Sequence, residues 1–167
     1  NENCSGVNIG RVDQYLYPYY LKDKENGILD DLGAQGLMEC LWIKLAECLE
    51  GVSAAGAEYY VGYQPYHGVT LGGITAEGKD GANELTFMGL QATMDLQMHT
   101  PTINVRVNKL NSDAYLMKIA DLIACGTGQP AVHFDETTME MLKKSGVADD
   151  ELWNYTLVGC VSPQMSG

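Results

Sequence analysis

The chain has 167 residues, of which 46% are apolar, and a formal net charge of -12. Phosphate-binding surfaces need clustered Lys and Arg, so nucleic acid and anionic membrane surfaces are excluded as partners. No apolar run approaches the roughly 20 residues that a membrane-spanning helix needs, and a globular domain with a buried core is expected.

Two helical patterns come first along the chain. The first covers residues 10–24 and contains Pro18, which predicts a break or kink because proline lacks a backbone donor. The second covers residues 29–49 and is expected to end near Gly51. Cys40 and Cys48 lie eight residues apart in this second pattern, which predicts that both are small core residues.

Short β-like runs then alternate with helical patterns. Strands are predicted at 69–71, 103–107, 131–134 and 156–158, and helices at 82–97, 112–125 and 136–144. Asp80 or Asn83 is expected to cap the first of these helices, and Ser112 or Asp113 the second. The alternation is typical of βα units, so the sequence predicts an α/β fold with buried parallel strands and functional residues in loops at one end.

The cysteines and histidines do not form a recognisable metal or redox motif. The five cysteines include no C-x-x-C pair, and the three histidines are scattered, so no metal site is predicted. Reduced thiols are typical of a cytoplasmic protein. Neither Asn1 nor Gly167 resembles a natural terminus, so an internal fragment of a longer protein is expected. Phosphate-cradling glycine motifs are missing from the sequence, and no cofactor-binding residues are predicted.

The segment LVGCVSP, residues 157–163, is the strongest candidate for chemistry. Cys160 follows a short strand and a glycine, and Pro163 comes three residues later. A buried thiol at a strand end is one interpretation of this spacing. The functional interpretation is a reactive cysteine, although a conventional thiolate nucleophile would want a histidine partner and the segment supplies none.

Five blocks, in order, extend this motif across the chain. They are residues 10–20 (GRVDQYLYPYY), 65–73 (PYHGVTLGG), 80–85 (DGANEL), 126–136 (GTGQPAVHFDE) and 159–163 (GCVSP). Together they resemble glycyl radical enzymes, the superfamily of pyruvate formate-lyase and the diol dehydratases. The resemblance implies part of a ten-stranded α/β barrel, with residues 1–167 as a single fragment of the catalytic domain that lacks the radical glycine.

The resemblance also implies a mechanism and its partners. A radical S-adenosylmethionine activating enzyme installs a glycyl radical outside this fragment, Cys160 becomes a thiyl radical, and the thiyl abstracts hydrogen from a small organic substrate. A dry pocket suits such a step. The fragment alone is expected to be inactive, no cofactor binds it directly, and the full-length protein is expected to be a homodimer.

Ser162 affects the choice among reactions. Many members of the family carry Glu two residues after the cysteine as a general base, and Ser cannot serve in that way unaided at neutral pH. The sequence therefore leans toward addition of hydrocarbon radicals to fumarate, as in benzylsuccinate and alkylsuccinate synthases. The alternatives are a C–O, C–N or C–C lyase of the dehydratase, choline lyase or arylacetate decarboxylase type, or a formate C-acetyltransferase, although Gly159 stands where that last enzyme has a second cysteine.

Further pocket residues are expected around Cys160. Tyr66, His67, Val161 and Ser162 are the substrate-pocket candidates, with a satisfied core Tyr or His as the alternative for the first two. Arg106 is expected to share a strand face with Asn104 and to pair with Asp135 or Glu136, or alternatively with a substrate carboxylate. The alternative that is not an enzyme is a small α/β binding domain. A scaffold module has no support, because the sequence contains no heptad repeat, basic patch or Pro-rich stretch.

Overall fold

A computed structural model describes residues 6–47, 54–59, 66–159 and 162–166. The N-terminal part contains strand β1 (Gly6–Asn8) and helices α1 (Val12–Tyr15) and α2 (Tyr17–Glu25). The predicted break at Pro18 is confirmed, because α1 ends before Leu16 and Pro18 lies in the first turn of α2. A proline there costs no helical hydrogen bond, since the first-turn N–H groups have no partner within the helix.

The rest of the chain alternates strands and helices. In chain order they are α3 (Asp31–Glu47), α4 (Ala54–Tyr59), β2 (Tyr66–Gly72), α5 (Glu84–Leu96), β3 (Thr102–Val107), α6 (Asp113–Ala124), β4 (Ala131–Phe134), α7 (Asp135–Lys144), β5 (Tyr155–Val158) and β6 (Ser162–Met165). Strands β1 to β4 form one sheet in the order β1-β2-β3-β4, and each neighbouring pair is parallel. The predicted α/β class and the parallel arrangement of β2, β3 and β4 are confirmed.

Helix starts follow the cap residues in the sequence. Asn83 accepts hydrogen bonds from the backbone N–H groups of Leu85 and Thr86, and the Thr86 hydroxyl accepts from the Asn83 N–H in return. This capping box satisfies donors that otherwise have no partner at the start of α5. Ser112 caps α6 in the simpler way, through the N–H of Tyr115.

One face of the sheet packs against the helices and forms the main core. Val69, Leu71, Ile103 and Val105 are fully buried there, among the apolar side chains of α3, α5 and α6. Trp42 of α3 is buried as well, and its indole N–H donates to the Thr93 hydroxyl of α5 over 2.9 Å.

The cysteines of α3 do not contribute to this core in the expected way. Cys40 is exposed, so its prediction as a core residue is wrong. The residues of α3 that are buried are Ala34, Met38 and Trp42, which recur every four positions, and Cys40 lies between two of them on a different side of the helix. Cys48 lies outside the described residues. No helix in the described ranges is both long enough and apolar enough to cross a membrane.

The last predicted strand behaves differently from the others. Strand β5 does not join the parallel sheet; it pairs with β6 in an antiparallel hairpin with the register Tyr155–Met165 to Val158–Ser162. The expectation that residues 156–158 continue the parallel series is therefore wrong. The connection is too short for a parallel crossover, which needs about a dozen residues, so a neighbouring strand this close in sequence pairs antiparallel.

Candidate active site

The β5–β6 hairpin lies against the sheet face that the helices leave uncovered. Gly68, Thr70, Asn104 and Arg106 alternate with the core-facing residues of β2 and β3 and therefore share this second face. Gly159 follows β5 with a φ of 61°, a left-handed conformation that favours glycine and turns the chain at the end of the strand. Cys160 and Val161, which lie between β5 and β6 in the sequence, are outside the described residues.

Thr70 joins the middle of the hairpin to the sheet. Its hydroxyl lies 2.8 Å from the Thr156 hydroxyl and accepts the backbone N–H of Leu157 over 3.1 Å. Thr70 is fully buried, and both contacts are shielded from water. Because a buried donor left without a partner is costly, these two bonds fix how far β5 can slide along β2.

Arg106 holds the start of the hairpin. Its Nε donates to Asp135 Oδ1 over 2.7 Å, and its Nη1 donates to the backbone carbonyls of Trp153 and Tyr155. The Tyr155 ring lies against the guanidinium, with 3.8 Å from Cζ to the ring centroid, and the Tyr155 hydroxyl also donates to Asp135. The interpretation of Arg106 as half of a structural ion pair is confirmed, with Asp135 as its partner.

The Arg106 side chain of this ion pair leaves room only for a glycine at position 73. A β-carbon at Gly73 would lie 2.6 Å from Arg106 Cζ, closer than carbon atoms approach without displacement. The backbone at Gly73 also has a φ of 84°, which few other residues tolerate. The glycine therefore lets the Arg106 side chain pass over β2 to reach the hairpin.

A second pair of buried charged residues, Arg11 and Asp13, supports the same region. Arg11 donates to the carbonyls of Trp153, Gly72 and Ile74, each over 2.8 Å. Burial, together with the nearby Arg106 guanidinium, lowers the pKa of Arg11 to about 10. Burial likewise raises the pKa of Asp13, although that carboxylate accepts from the Gly72 N–H and the Thr86 hydroxyl. Both arginines thus hold the Trp153 carbonyl, just before β5.

Polar side chains also line the part of this face nearer the strand starts. His133 Nε2 lies 3.1 Å from Asn104 Oδ1. Burial lowers the pKa of His133, so its neutral form is favoured at pH 7, and the contact with Asn104 assigns the ring proton to Nε2. Among the described residues, no group of three or more His, Cys, Asp or Glu side chains could hold a metal ion.

Comparison with known proteins identifies the fold. A family model described as pyruvate formate lyase-like (PFL-like) matches residues 1–167. The chain belongs to the PFL-like family. It is 34% identical over 167 residues to the isethionate sulfite-lyase of Bilophila wadsworthia (strain 3_1_6), covering 98% of this chain and 20% of that protein. The chain thus spans about a fifth of the length of such PFL-like relatives.

Solved structures of PFL-like proteins match closely. A Roseburia inulinivorans protein studied for 1,2-propanediol dehydration aligns with a TM-score of 0.90 and 40% identity, over 95% of this chain and 20% of that one. The B12-independent glycerol dehydratase of Clostridium butyricum, solved with glycerol bound, aligns with a TM-score of 0.90 and 34% identity, over 96% of this chain and 20% of that one. The predicted fold, part of a glycyl radical enzyme barrel, is confirmed.

The predicted pocket residues that the structure describes lie on two different strands, β2 and β6, and differ in burial. Tyr66 begins β2, and its side chain lies outside the description. His67 is buried at a position that shares the helix-facing side of β2 with Val69 and Leu71, away from the hairpin. Ser162 begins β6, is exposed in this chain and pairs with Val158.

Sequence reasoning missed Thr70 and Asn8 on the hairpin side. Thr70 alternates with Val69 and Leu71 in a clear strand pattern, so its face could have been predicted. Asn8 lies in a three-residue strand, for which periodicity gives almost no signal.

Replacing Thr70 with Val in the full-length enzyme is expected to cost about 1 to 3 kcal/mol of stability, because the Leu157 N–H and the Thr156 hydroxyl lose a buried partner. The measurement is amide hydrogen exchange, in which peptides covering β5 should exchange faster. Thr70→Ser keeps the hydroxyl and is the matched control. Equal exchange in both variants would contradict the role given to this hydroxyl.

Proposed function

We propose that this chain is a segment of the catalytic domain of a glycyl radical enzyme and that Cys160 is its thiyl radical site. The observation that carries the proposal is the β5–β6 hairpin. Its start is held by Arg11 and Arg106 and its middle by Thr70, and Cys160 occupies its tip in the sequence. A loop anchored this firmly can hold one sulfur atom at a fixed distance from a bound substrate, as a near-attack geometry requires.

The proposed chemistry moves single hydrogen atoms. A glycyl radical on a glycine outside residues 1–167, installed by a radical S-adenosylmethionine activating enzyme, would take the hydrogen atom of the Cys160 thiol, which forms a glycine C–H bond and leaves a thiyl radical on Cys160. The Cys160 sulfur then takes one hydrogen atom from a substrate C–H bond, and it returns that atom to the product radical after rearrangement. Because the thiol exchanges a neutral hydrogen atom, the step needs no lowered thiol pKa and no adjacent histidine.

The reaction class that we favour is cleavage of a bond next to the substrate radical, with loss of a small group. The sulfite-lyase and the two dehydration-related proteins above support it at 34% to 40% identity. Tyr66, Val161 and Ser162 remain pocket candidates. The orientation of β2 makes His67 a second-layer residue in this proposal, since it lies on the side of the strand away from the hairpin.

Fumarate addition is the second candidate, and Ser162 is the observation that favours it. A hydroxyl side chain at this position cannot take a proton from a substrate hydroxyl as a carboxylate can. A fumarate-adding enzyme needs only hydrogen abstraction and a carboxylate-binding site, so it would tolerate Ser162. The acetyl-transfer alternative uses two adjacent cysteines, and here the residue before Cys160 is Gly159, which argues against that reaction.

Further features of the whole protein belong to the same proposal. We propose a homodimer that acts in the cytoplasm, meets its activating enzyme transiently and binds a small organic substrate. We also propose that the radical glycine is outside residues 1–167, which the match to about a fifth of each relative supports.

The test is anaerobic activation of the full-length protein with its activating enzyme, followed by electron paramagnetic resonance for the glycyl radical. The activated protein is then offered isethionate, 1,2-propanediol or glycerol in one series, and fumarate with toluene in another. Sulfite or aldehyde from the first series supports the lyase proposal, and a substituted succinate from the second supports fumarate addition. A protein that never acquires the radical signal would refute both.

A further inference from the structure

A groove with an apolar lining lies between helices α2 and α3, and Leu85 of α5 forms part of its base. Its volume is about 220 Å³, several times the roughly 30 Å³ that one water molecule occupies. Among the lining residues, Ala34, Met38 and Leu85 are buried, whereas Tyr19 and Leu37 are 69% and 60% exposed. The groove therefore has a closed base and an open rim that carries large apolar side chains.

Each wall of the groove is one face of a helix. The lining residues of α3 are Ala34, Leu37, Met38 and Leu41, and those of α2 and the residue before it have the same spacing, at positions 16, 19, 20 and 23. Residues at i, i+3, i+4 and i+7 lie on one side of a helix. Two helix faces with this spacing form the kind of apolar groove that receives an amphipathic helix.

Polar contacts join the two walls, so the groove is already formed before anything enters it. The Tyr20 hydroxyl of α2 donates to Asp31 Oδ1 of α3 over 2.7 Å. Lys24 Nζ donates to the Tyr20 hydroxyl over 2.9 Å and forms an ion pair with Asp31. A preformed groove loses little conformational entropy when it is occupied, which favours binding.

Two features of the groove are unmatched in this chain. Helix α3 is apolar on its exposed sides as well as its buried one, with Leu32 at 81%, Leu37 at 60% and Ile43 at 39% exposure, and a helix that is apolar all round belongs to the interior of a larger protein. The lining also includes the carboxylate of Asp23, which forms no hydrogen bond or ion pair with another described side chain. Lys or Arg is the natural partner of such a carboxylate.

We infer that the groove receives an amphipathic helix of the same polypeptide from outside residues 1–167. This helix inserts an apolar side chain between Tyr19 and Leu37 and places a Lys or Arg beside Asp23. The chain spans about a fifth of the length of its relatives, so the intact polypeptide has ample length to supply the helix. A segment on the same chain has an effective concentration on the order of millimolar, which favours it over a second molecule.

The test is photo-crosslinking in the full-length protein without activation. One variant is Tyr19→p-benzoylphenylalanine, which keeps an aromatic ring at an exposed position, and the other is Leu37→p-benzoylphenylalanine on the opposite wall. Irradiation is expected to join both positions to the same peptide from outside residues 1–167, in a product with the mass of one chain on a denaturing gel. Leu110→p-benzoylphenylalanine is the control, because Leu110 is similarly exposed, at 57%, but does not line the groove.

Four results would overturn the inference. The first is a product with twice the mass of the chain, which would put a second copy in the groove. The second is capture of a stretch within residues 1–167 by both positions. The third is the absence of any crosslink in variants whose circular dichroism matches that of the unmodified protein. The fourth is a captured peptide without apolar residues at helical spacing.

The charge at the rim has its own test. Asp23→Lys is expected to lower the yield of the crosslink from position 37 at least about threefold, because it opposes the cation of the bound helix. Glu25→Lys makes the same change of charge on α2, at an exposed residue outside the groove lining, and should leave the yield unchanged. Equal yields in the two variants would contradict the Lys or Arg assigned beside Asp23. None of these measurements involves the radical, so their failure leaves the proposed function standing.

Discussion

Replacing Cys160 with Ser in the full-length protein is expected to abolish turnover, by roughly 10⁴-fold or more, as removal of an essential catalytic group commonly does. An O–H bond is stronger than an S–H bond, so a serine hydroxyl cannot pass a hydrogen atom to the glycyl radical. The radical should still form on the activating enzyme's target glycine. The measurement pairs product formation with spin quantitation by electron paramagnetic resonance.

Cys125→Ser is the matched control for this variant. Cys125 is a second free thiol, half-buried at the end of α6, and its sulfur lies 3.5 Å from the Asp121 carbonyl. It follows a helix that packs on the opposite side of the sheet from the hairpin, so its replacement should leave turnover unchanged. Turnover in Cys160→Ser with an undiminished radical signal would show that another residue carries the hydrogen atom.

Asp135→Asn is expected to be the most destabilising single substitution near the site, at roughly 3 to 5 kcal/mol, because it leaves the Arg106 charge buried without its partner. Arg106 is 0% exposed and Asp135 2% exposed, so water cannot replace the lost carboxylate. The hydrogen bond from the Tyr155 hydroxyl is weakened in the same variant. Thermal unfolding of the full-length protein should shift to lower temperature, and hydrogen exchange should rise most over residues 152–158.

Asp149→Asn provides the comparison for an exposed ion pair. Lys143 and Asp149 also approach to 2.7 Å, but their side chains are 59% and 68% exposed. Solvent screening limits such a pair to at most about 1 kcal/mol. Similar effects of the two substitutions would contradict the importance given to burial of the Arg106–Asp135 pair.

The helices and central strands followed closely from the sequence. Residues 131–134 form β4 as predicted, and α5 and α6 begin after the expected caps, Asn83 and Ser112. Patterns of this kind are local, because the periodicity of apolar residues and the capping side chains lie within one segment. Alternation along β3 likewise predicted the face of Arg106, whereas its partner was expected to be Asp135 or Glu136, and the structure shows Asp135.

The features of the fold that could not be predicted depend on contacts between segments that are far apart in the sequence. Strand β6 contains Pro163 and looks like a loop, and its pairing with β5 is visible only in three dimensions. The place of His67 in the pocket stays a prediction; which side of β2 faces the helices is set by packing between distant segments, and His67 shares that side with Val69 and Leu71. Gly68 is surrounded by Asn8, Asn104 and the Leu157 carbonyl, which lie almost 150 positions apart at the extremes. No local stretch of the sequence could have predicted that they come together.

The parallel sheet has a practical consequence for laboratory work on this segment. Strands β1 and β4 are its outer members within the described residues, and Val132 and Phe134 of β4 are partly solvent-exposed, at 38% and 61%. Unpaired strand edges with apolar side chains recruit further strands from other molecules. Residues 1–167 produced alone would therefore be prone to insoluble aggregates in expression, and a purification strategy should start from the intact polypeptide.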